Sequence, residues 1–572
     1  LIKAGGQSYY IDSNGKKQLS PINKTREEGD WNEWSDKLSA QFLSKQSYKL
    51  IKQQLNLTAA DKQAEFDEIM SLTNPTVKKA LLKSFADDCD SSATHLKAAA
   101  LPGQKYQVIL PVPSMKDTEV YAPNFENGTK LALVRFPHGG IFEIPILTVN
   151  NKQKDAAKMV GKNPLDAVCI NSKVAERLSG ADFDGDTVLA IPTGKGVNIV
   201  NKPPLKELEG FDPKMSYPEV PGMKYMKTKI SPTKTVDNTQ NEMGKISNLI
   251  TDMTLLGASD AELARAVKHS MVVIDAAKHK LNYKQSEIDN GIKELKRRYQ
   301  GKIDEDGKYS EGTGTIVSRA KGQQSVVKRQ GSPIIDPETG KQTWKTADDA
   351  VYEKKIVNEK TGEVKYKTIT KMQKSNKMAE TDDAFTLVSE SRNPKEIAYA
   401  EYANKMKALA NESRKAMVNA KDISYSPDAN KKYSQEVKRL EAALNVALKN
   451  APRERQAQTI ANAEVQAKKL EYPDLEKKEL KKIGQKALDK ARRQVGAKRE
   501  LIDISEREWE AIQAGAVSPN RLQQILNNAD MDKVKQLAMP RSTNSLSTAK
   551  INHISTLKAS GYTNEEIARK LG

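Results

Sequence analysis

The chain carries little cysteine: two in 572 residues, Cys89 and Cys169. That excludes a disulfide framework and a cysteine-based zinc site. Cys169 falls in an apolar segment and reads as core. No stretch approaches the ~18 consecutive apolar residues of a membrane-crossing helix, and no signal-peptide pattern is visible. The expected home is therefore a reducing cytoplasm, with no membrane partner. Histidine and cysteine are also missing from residues 179–186, the most informative stretch of the chain, which argues against zinc there.

Positive charge is what the chain has in excess. Lys plus Arg number 93 against 74 Asp plus Glu, a formal charge of +19, with a pI near 9.3. Such a balance suits a polyanion partner, because phosphate contacts release counterions and supply most non-specific affinity. A generally Lys-rich surface is the bland alternative. Length predicts about three or four domains.

Residues 179–186 read Ser-Gly-Ala-Asp-Phe-Asp-Gly-Asp, so Asp182, Asp184 and Asp186 alternate. At a tight turn bearing Gly185, that spacing can aim three carboxylates at one point. They repel unless a cation sits among them, and an all-oxygen donor set suits Mg²⁺. A calcium loop of the EF-hand type fails, because its sixth and twelfth positions, counted from Asp182, are Thr187 and Thr193 rather than Gly and Glu. A phosphatase forming an aspartyl-phosphate should show a buried strand directly before the motif, whereas residues 177–180 look like a turn. A solvated acidic turn without function remains the bland reading.

Context favours the metal site. Residues 167–171 form a short apolar strand. Residues 172–178 follow as a helical turn with Ser172 as N-cap and Val174, Ala175 and Leu178 on one face. Residues 187–191 are a second buried strand ended by Pro192. Strand, short helix, Gly-Asp turn and strand is the local pattern of a double-psi β-barrel. Residues 106–110, 130–134 and 141–149 add strands, giving about six β segments between residues 104 and 200. Between two of them, Arg135 precedes a Pro/Gly-rich turn (residues 136–140), where its planar guanidinium could be presented at a loop edge. An ordinary surface arginine is the competing reading.

The segment resembles the catalytic double-psi barrel of the two-barrel RNA polymerase superfamily. Residues 181–186 are shared with the largest subunit of cellular RNA polymerases. Ser179-Gly180 before them is closer to phage single-chain RNA polymerases and cell-encoded RNA-dependent RNA polymerases. Arg135-Phe-Pro-His-Gly139 is similar to the family's Arg-x-Pro segment. The resemblance implies that Asp182, Asp184 and Asp186 are the catalytic, metal-holding residues. It implies a two-Mg²⁺ mechanism in which the second ion arrives with the nucleotide, and Arg135 contacting the nucleotide or RNA end. The implied partners are a nucleic-acid template (DNA favoured), the RNA product and nucleoside triphosphates. The family site also needs a second barrel, expected from an upstream segment or another chain. For a phage-encoded protein the compartment would be the host-cell cytoplasm. The alternatives are an RNA-dependent RNA polymerase, a non-catalytic nucleic-acid-binding or scaffold protein that keeps the barrel, and a phosphatase or nuclease using the same carboxylates.

The whole chain reads as an α+β protein, a catalytic double-psi β-barrel between large helical N- and C-terminal regions. Residues 1–103 are helical, with Trp31, Trp34, Leu38, Phe42 and Leu43 as a packed face, and show no second barrel. Residues 104–200 are the barrel. Residues 201–300 are an extended, Pro- and Lys-rich wrap, in which Lys224, Tyr225, Lys227, Lys229 and Lys234 could track a nucleic-acid backbone or line a solvated loop. Post-barrel helices follow at 241–256 and after a capping box at Ser259–Glu262, the second with Leu263, Val267, Met271 and Ile274 on one face. His269 and His279 read as structural. Residues 301–375 are a small β-rich insertion with turns at 336–340 and 358–362. Residues 376–500 are charged and helical, with a Val437, Leu440, Leu444, Leu448 stripe ended or kinked by Pro452. Residues 471–500 hold ten Lys/Arg against six acids, usually a solvated face. Residues 501–572 are helical and end in two-thirds of a helix-turn-helix, with a capping box at Thr563 and Glu566. That ending, with Leu as residue 1, predicts a segment of a longer protein.

Overall fold

A computed structural model describes residues 9–11, 17–19, 37–136, 138–161, 167–178, 181, 183, 186–194, 196–231, 234–303, 309–311, 315–357, 364–472, 477–498, 501–540 and 548–571. Among these, six strands close into a barrel: β1 (Lys105–Pro111), β2 (Glu119–Tyr121), β3 (Lys130–Arg135), β4 (Ile146–Val149), β5 (Ala167–Ile170) and β6 (Thr187–Thr193). Around the barrel the order is β6-β1-β5-β2-β4-β3, and β3 pairs back to β6. The β1–β5 and β2–β4 pairs are parallel and the rest antiparallel. Strands adjacent in sequence are thus mostly not neighbours in space.

The strands are apolar on both faces because both are covered. Alternation sends Ile109, Leu131, Leu133, Leu147, Val149, Val168, Ile170, Val188 and Ala190 into the barrel interior. The short helix Ser172–Glu176 closes one end of it with Val174 and Ala175, followed by Leu178. The outward set splits. Val108, Leu110, Ala167 and Cys169 pack under the helix Lys154–Val160. Ala132, Val134, Leu189 and Ile191 join the large helical core.

That helical core is built on α1 (Tyr48–Ser71), α2 (Pro75–His95) and, after α3 (Thr239–Leu255) and α4 (Asp260–His279), on α5 (Pro394–Asn419), which packs along both α1 and α2. Asn74 starts α2, its side chain accepting from the amides of Thr76 and Val77, with Pro75 at the first helical position. The Ser259–Glu262 capping box of α4 is present in full. Leu38, Phe42 and Leu43 are buried as predicted; Trp31 and Trp34 lie outside the described residues. Three antiparallel strand pairs occupy residues 323–376: two hairpins, one closed by the 336–340 turn, and the pair of Gln323–Val327 with Met372–Asn376 that brackets them; the 358–362 turn lies outside the described residues. No described helix is long and apolar enough to cross a membrane.

Several local expectations are corrected. Residues 141–149 are not one strand: Ile141–Glu143 form a 3₁₀ turn, and β4 starts only at Ile146, after Pro145. The N-cap is Asn171 rather than Ser172, its side chain accepting from the Lys173 amide at 2.9 Å. Pro192 does not end β6, which continues to Thr193 along β3; pairing with β1 has stopped at Ala190, so the missing N–H breaks no bond on that side. On α4, Leu263, Val267 and the partly buried Met271 pack on one core as expected, whereas Ile274 is only partly buried and Val272 and Val273 are fully buried in a second cluster with Met226 and Tyr283. Leu448 is exposed, and α6 (Ser434–Glu471) runs through Pro452. It is held before the proline by Val437, Leu440 and Leu444, and after it by Ala457 and Ala461 against Ala487 and Ala491 of the helix Lys477–Val495.

The C-terminal pair, α7 (Thr548–Ala559) and α8 (Asn564–Leu571), does not project as a free reading head. Leu557, Tyr562 and Ile567 pack on Leu57 and Ala99, and the Tyr562 hydroxyl donates to the Ala100 carbonyl. Glu566 serves two purposes, completing the Thr563 capping box and accepting from the Gly103 amide at 2.6 Å just before the barrel begins.

Candidate active site

Two of the predicted site residues meet at the barrel rim. Leu131 and Leu133 of β3 point inward, so Arg135 at the end of that strand keeps the inward register. Asp186 holds the same register relative to Val188 and Ala190 of β6. The Asp186 carboxylate lies 3.0 Å from the Arg135 guanidinium, with the two side chains only 18 % and 16 % exposed. The backbone fixes this position too: the Asp186 carbonyl accepts from the Ile109 amide of β1 at 3.1 Å. Arg135 is therefore not a free surface arginine. It is largely buried in an ion pair with the last carboxylate of the motif, one guanidinium nitrogen donating to one carboxylate oxygen.

Phe183, between the first two aspartates, packs against the barrel's inner core with φ at 61°. A bulky residue in the left-handed region is held there by its surroundings, and such backbone strain clusters at functional sites. Asp182, Asp184 and Gly185 lie outside the described residues, as do Ser179 and Gly180. Among the described residues no group of three or more His, Cys, Asp or Glu converges on one point.

Sequence reading missed what anchors the loop after Arg135. Lys45, at the end of the short helix Ala40–Ser44, is buried and donates to the His138 carbonyl at 3.0 Å. Burial lowers its ammonium to about 8, against the opposing pull of Glu143. Glu143 in turn accepts from the Gly139 amide at 2.7 Å. The His138 ring is buried between Phe42 and Phe136, and burial, aided by Lys45, holds its imidazole well below the usual range. The neighbouring Gln46 grips Val200 through both its amide ends. The N-terminal helical region thus clamps the barrel at the Arg135 loop and at its exit. Nothing in the polar run 44–47 signals this, because the partners lie 93 and 154 residues away.

His269 is structural, as expected: buried, 3.0 Å from the Ser286 hydroxyl, and lowered to about 4, chiefly by desolvation. Cys169 is core, its thiol pushed up to about 12 by burial. In the 201–235 segment Tyr225 is exposed and hydrogen-bonds Glu219, while Lys227 lies 3.9 Å from Asp237.

Comparison with known proteins adds no family: no protein-family model matches the chain, and no curated protein is a significant match.

Proposed function

We propose that this chain is the catalytic-barrel part of an RNA polymerase of the two-barrel superfamily, its barrel of the double-psi type. The observation that carries the reading is the Arg135–Asp186 pair at the rim of a closed six-stranded barrel, at the two positions where the sequence motif requires them. The interleaved strand order with two parallel pairs supports the double-psi assignment.

Asp182, Asp184 and Asp186 would hold the metal; a set made entirely of carboxylates suits a hard divalent cation. When bound, such a cation would supply a lowered pKa for the attacking hydroxyl and charge neutralisation at the leaving group. In the reaction, the RNA 3′ oxygen forms a bond to the α-phosphorus, the bond from that phosphorus to the pyrophosphate oxygen breaks, and the hydroxyl proton passes to solvent. Arg135 orients Asp186 and presents its guanidinium to the incoming nucleotide or the RNA end. The second barrel comes from an upstream segment or another chain, and DNA is the favoured template over RNA.

The released product tests this reading. With template, nucleoside triphosphates and the second barrel supplied, the protein should release pyrophosphate in step with RNA growth. Release of inorganic phosphate without a template would instead mark a phosphatase or nuclease. Nucleic-acid binding with neither product would mark a scaffold.

A further inference from the structure

A cavity of about 730 Å³ opens on the outer wall of the barrel, where the N-terminal segment, the end of α2, α3 and the short helix Ile316–Arg319 meet. Its volume is that of a small-molecule site. The barrel supplies Tyr106, Phe136 and Thr187 to it. Phe136 and Thr187 each follow a residue of the Arg135–Asp186 pair. They hold the outward register shared by Val134 and Leu189, so the cavity lies behind the carboxylate face, across the same two strand ends.

Its charge is one-sided. Lys97, Lys321 and His95 line it, and none of its described lining residues is acidic. Lys97 shares Asp88 with Lys62. Among the described residues no carboxylate pairs with Lys321 or His95. Desolvation, with Lys321 and Lys97 beside it, keeps the His95 imidazole below its usual range. Lys321 is therefore the cation of this lining without a carboxylate partner among the described residues, Lys97 shares Asp88, and the neutral His95 imidazole can donate a hydrogen bond; an anion that meets all three adds the charge this concavity lacks. Gln41 and Asn248, hydrogen-bonded to each other at 3.4 Å, add neutral polar groups at the opposite wall.

We propose that this cavity binds a nucleotide-sized polyphosphate at a site separate from the carboxylate face, its phosphates meeting Lys321, Lys97 and His95. Tyr106 and Phe136 offer an apolar wall for a base. Because Phe136 and Thr187 join this wall to Arg135 and Asp186, occupancy there is coupled to the rim through two adjacent peptide units.

The test is equilibrium binding of ATP and of inorganic triphosphate to the full chain in EDTA, which removes any metal-dependent contribution. Wild type should bind, and Lys321→Glu should weaken binding about tenfold or more, the cost of losing a charge-assisted contact. Asp184→Asn should bind as wild type. Tighter binding of ATP than of triphosphate would support a nucleotide as the ligand; equal affinities would support recognition through phosphates alone. Absence of binding by wild type, equal binding by Lys321→Glu, or loss in Asp184→Asn would overturn the proposal. So would binding of a short RNA at Lys321 when neither small ligand binds. Lys321 is exposed, so unchanged circular dichroism and melting separate lost binding from lost fold. The proposal does not rest on polymerase activity: RNA synthesis can fail with the cavity still binding, and the converse holds too.

Discussion

Lys45 places an ammonium in the apolar contact between the N-terminal helices and the barrel, and that has a measurable pH signature. Its folded pKa is about 8 against an ordinary 10.5, so between those values the unfolded chain binds more protons than the folded one. Stability contributed through Lys45 therefore rises with pH across that window, by at most about 3 kcal/mol in total. Below pH 8 both states are protonated and the full desolvation cost is present. Cys89 and Cys169, both raised from 9.0 to about 12, act with the opposite sign from pH 9 upward. Between pH 8 and 9 the cysteines begin to oppose Lys45, while Lys321, Lys395 and Lys407, also lowered by burial, act with it, so the readout is the difference between two proteins. Urea unfolding there should show a less positive slope of stability against pH in Lys45→Met than in wild type; identical slopes would remove Lys45 from this role. The site was legible at this scale only in part. Asp186 and Arg135 stood out because Gly-Asp and Arg-Phe-Pro are local patterns. Their ion pair did not, since it spans 51 residues and depends on strand register.

The loop from Phe136 to Glu143 is the element that joins the rim to the helical clamp. Gly139 and Gly140 are required there by close approach: a methyl on Gly139 would press on the Glu143 carboxylate, and one on Gly140 would overlap the Phe142 ring. Phe142 is itself buried against Leu249 and Ile250 of α3, so it has little room to yield. Gly140→Ala should cost about 1–3 kcal/mol, the range for overpacking, and lower the melting temperature. Gly128→Ala, with open space around it, is the control for crowding, though its φ of 86° brings backbone strain of its own. Gly140 itself is extended, with φ at −176°, so Ala there meets crowding without left-handed strain, and an unchanged melting temperature in Gly140→Ala would contradict the crowding. Elements were legible where periodicity was undisturbed, as in β1, β3, β5 and β6. Where it was broken, local signals misled: Glu119–Tyr121 is too short to register as a strand, and Pro145 splits one apolar run into a turn and a strand. Pro452 reads as an end or a kink, and the helix continues through it, held from both sides by packing.

Across the whole molecule the helices hold the barrel at its entry, at the Arg135 loop and at its exit. The N-terminal clamp fixes the Arg135 loop and Val200, α5 binds α1 and α2 into one core, and the C-terminal pair seats Glu566 on Gly103. The α+β class and a barrel within residues 104–200 could be read from the sequence, because strand signals cluster there. How the helices wrap that barrel could not, since contacts such as Gln54 to Tyr562 join residues 508 apart. The arrangement leaves the Arg135–Asp186 pair at the barrel rim, with the cavity behind it on the outer wall, and the central claim is that nucleotidyl transfer happens at the rim. The direct measurement is incorporation of labelled nucleotides into RNA by the parent protein, second barrel included, on primed and unprimed DNA and RNA templates with Mg²⁺. The account predicts template-dependent RNA from wild type, lost in EDTA and reduced to background in a folded Asp184→Ala variant. RNA synthesis persisting in Asp184→Ala, or none from wild type with every partner present, would contradict it.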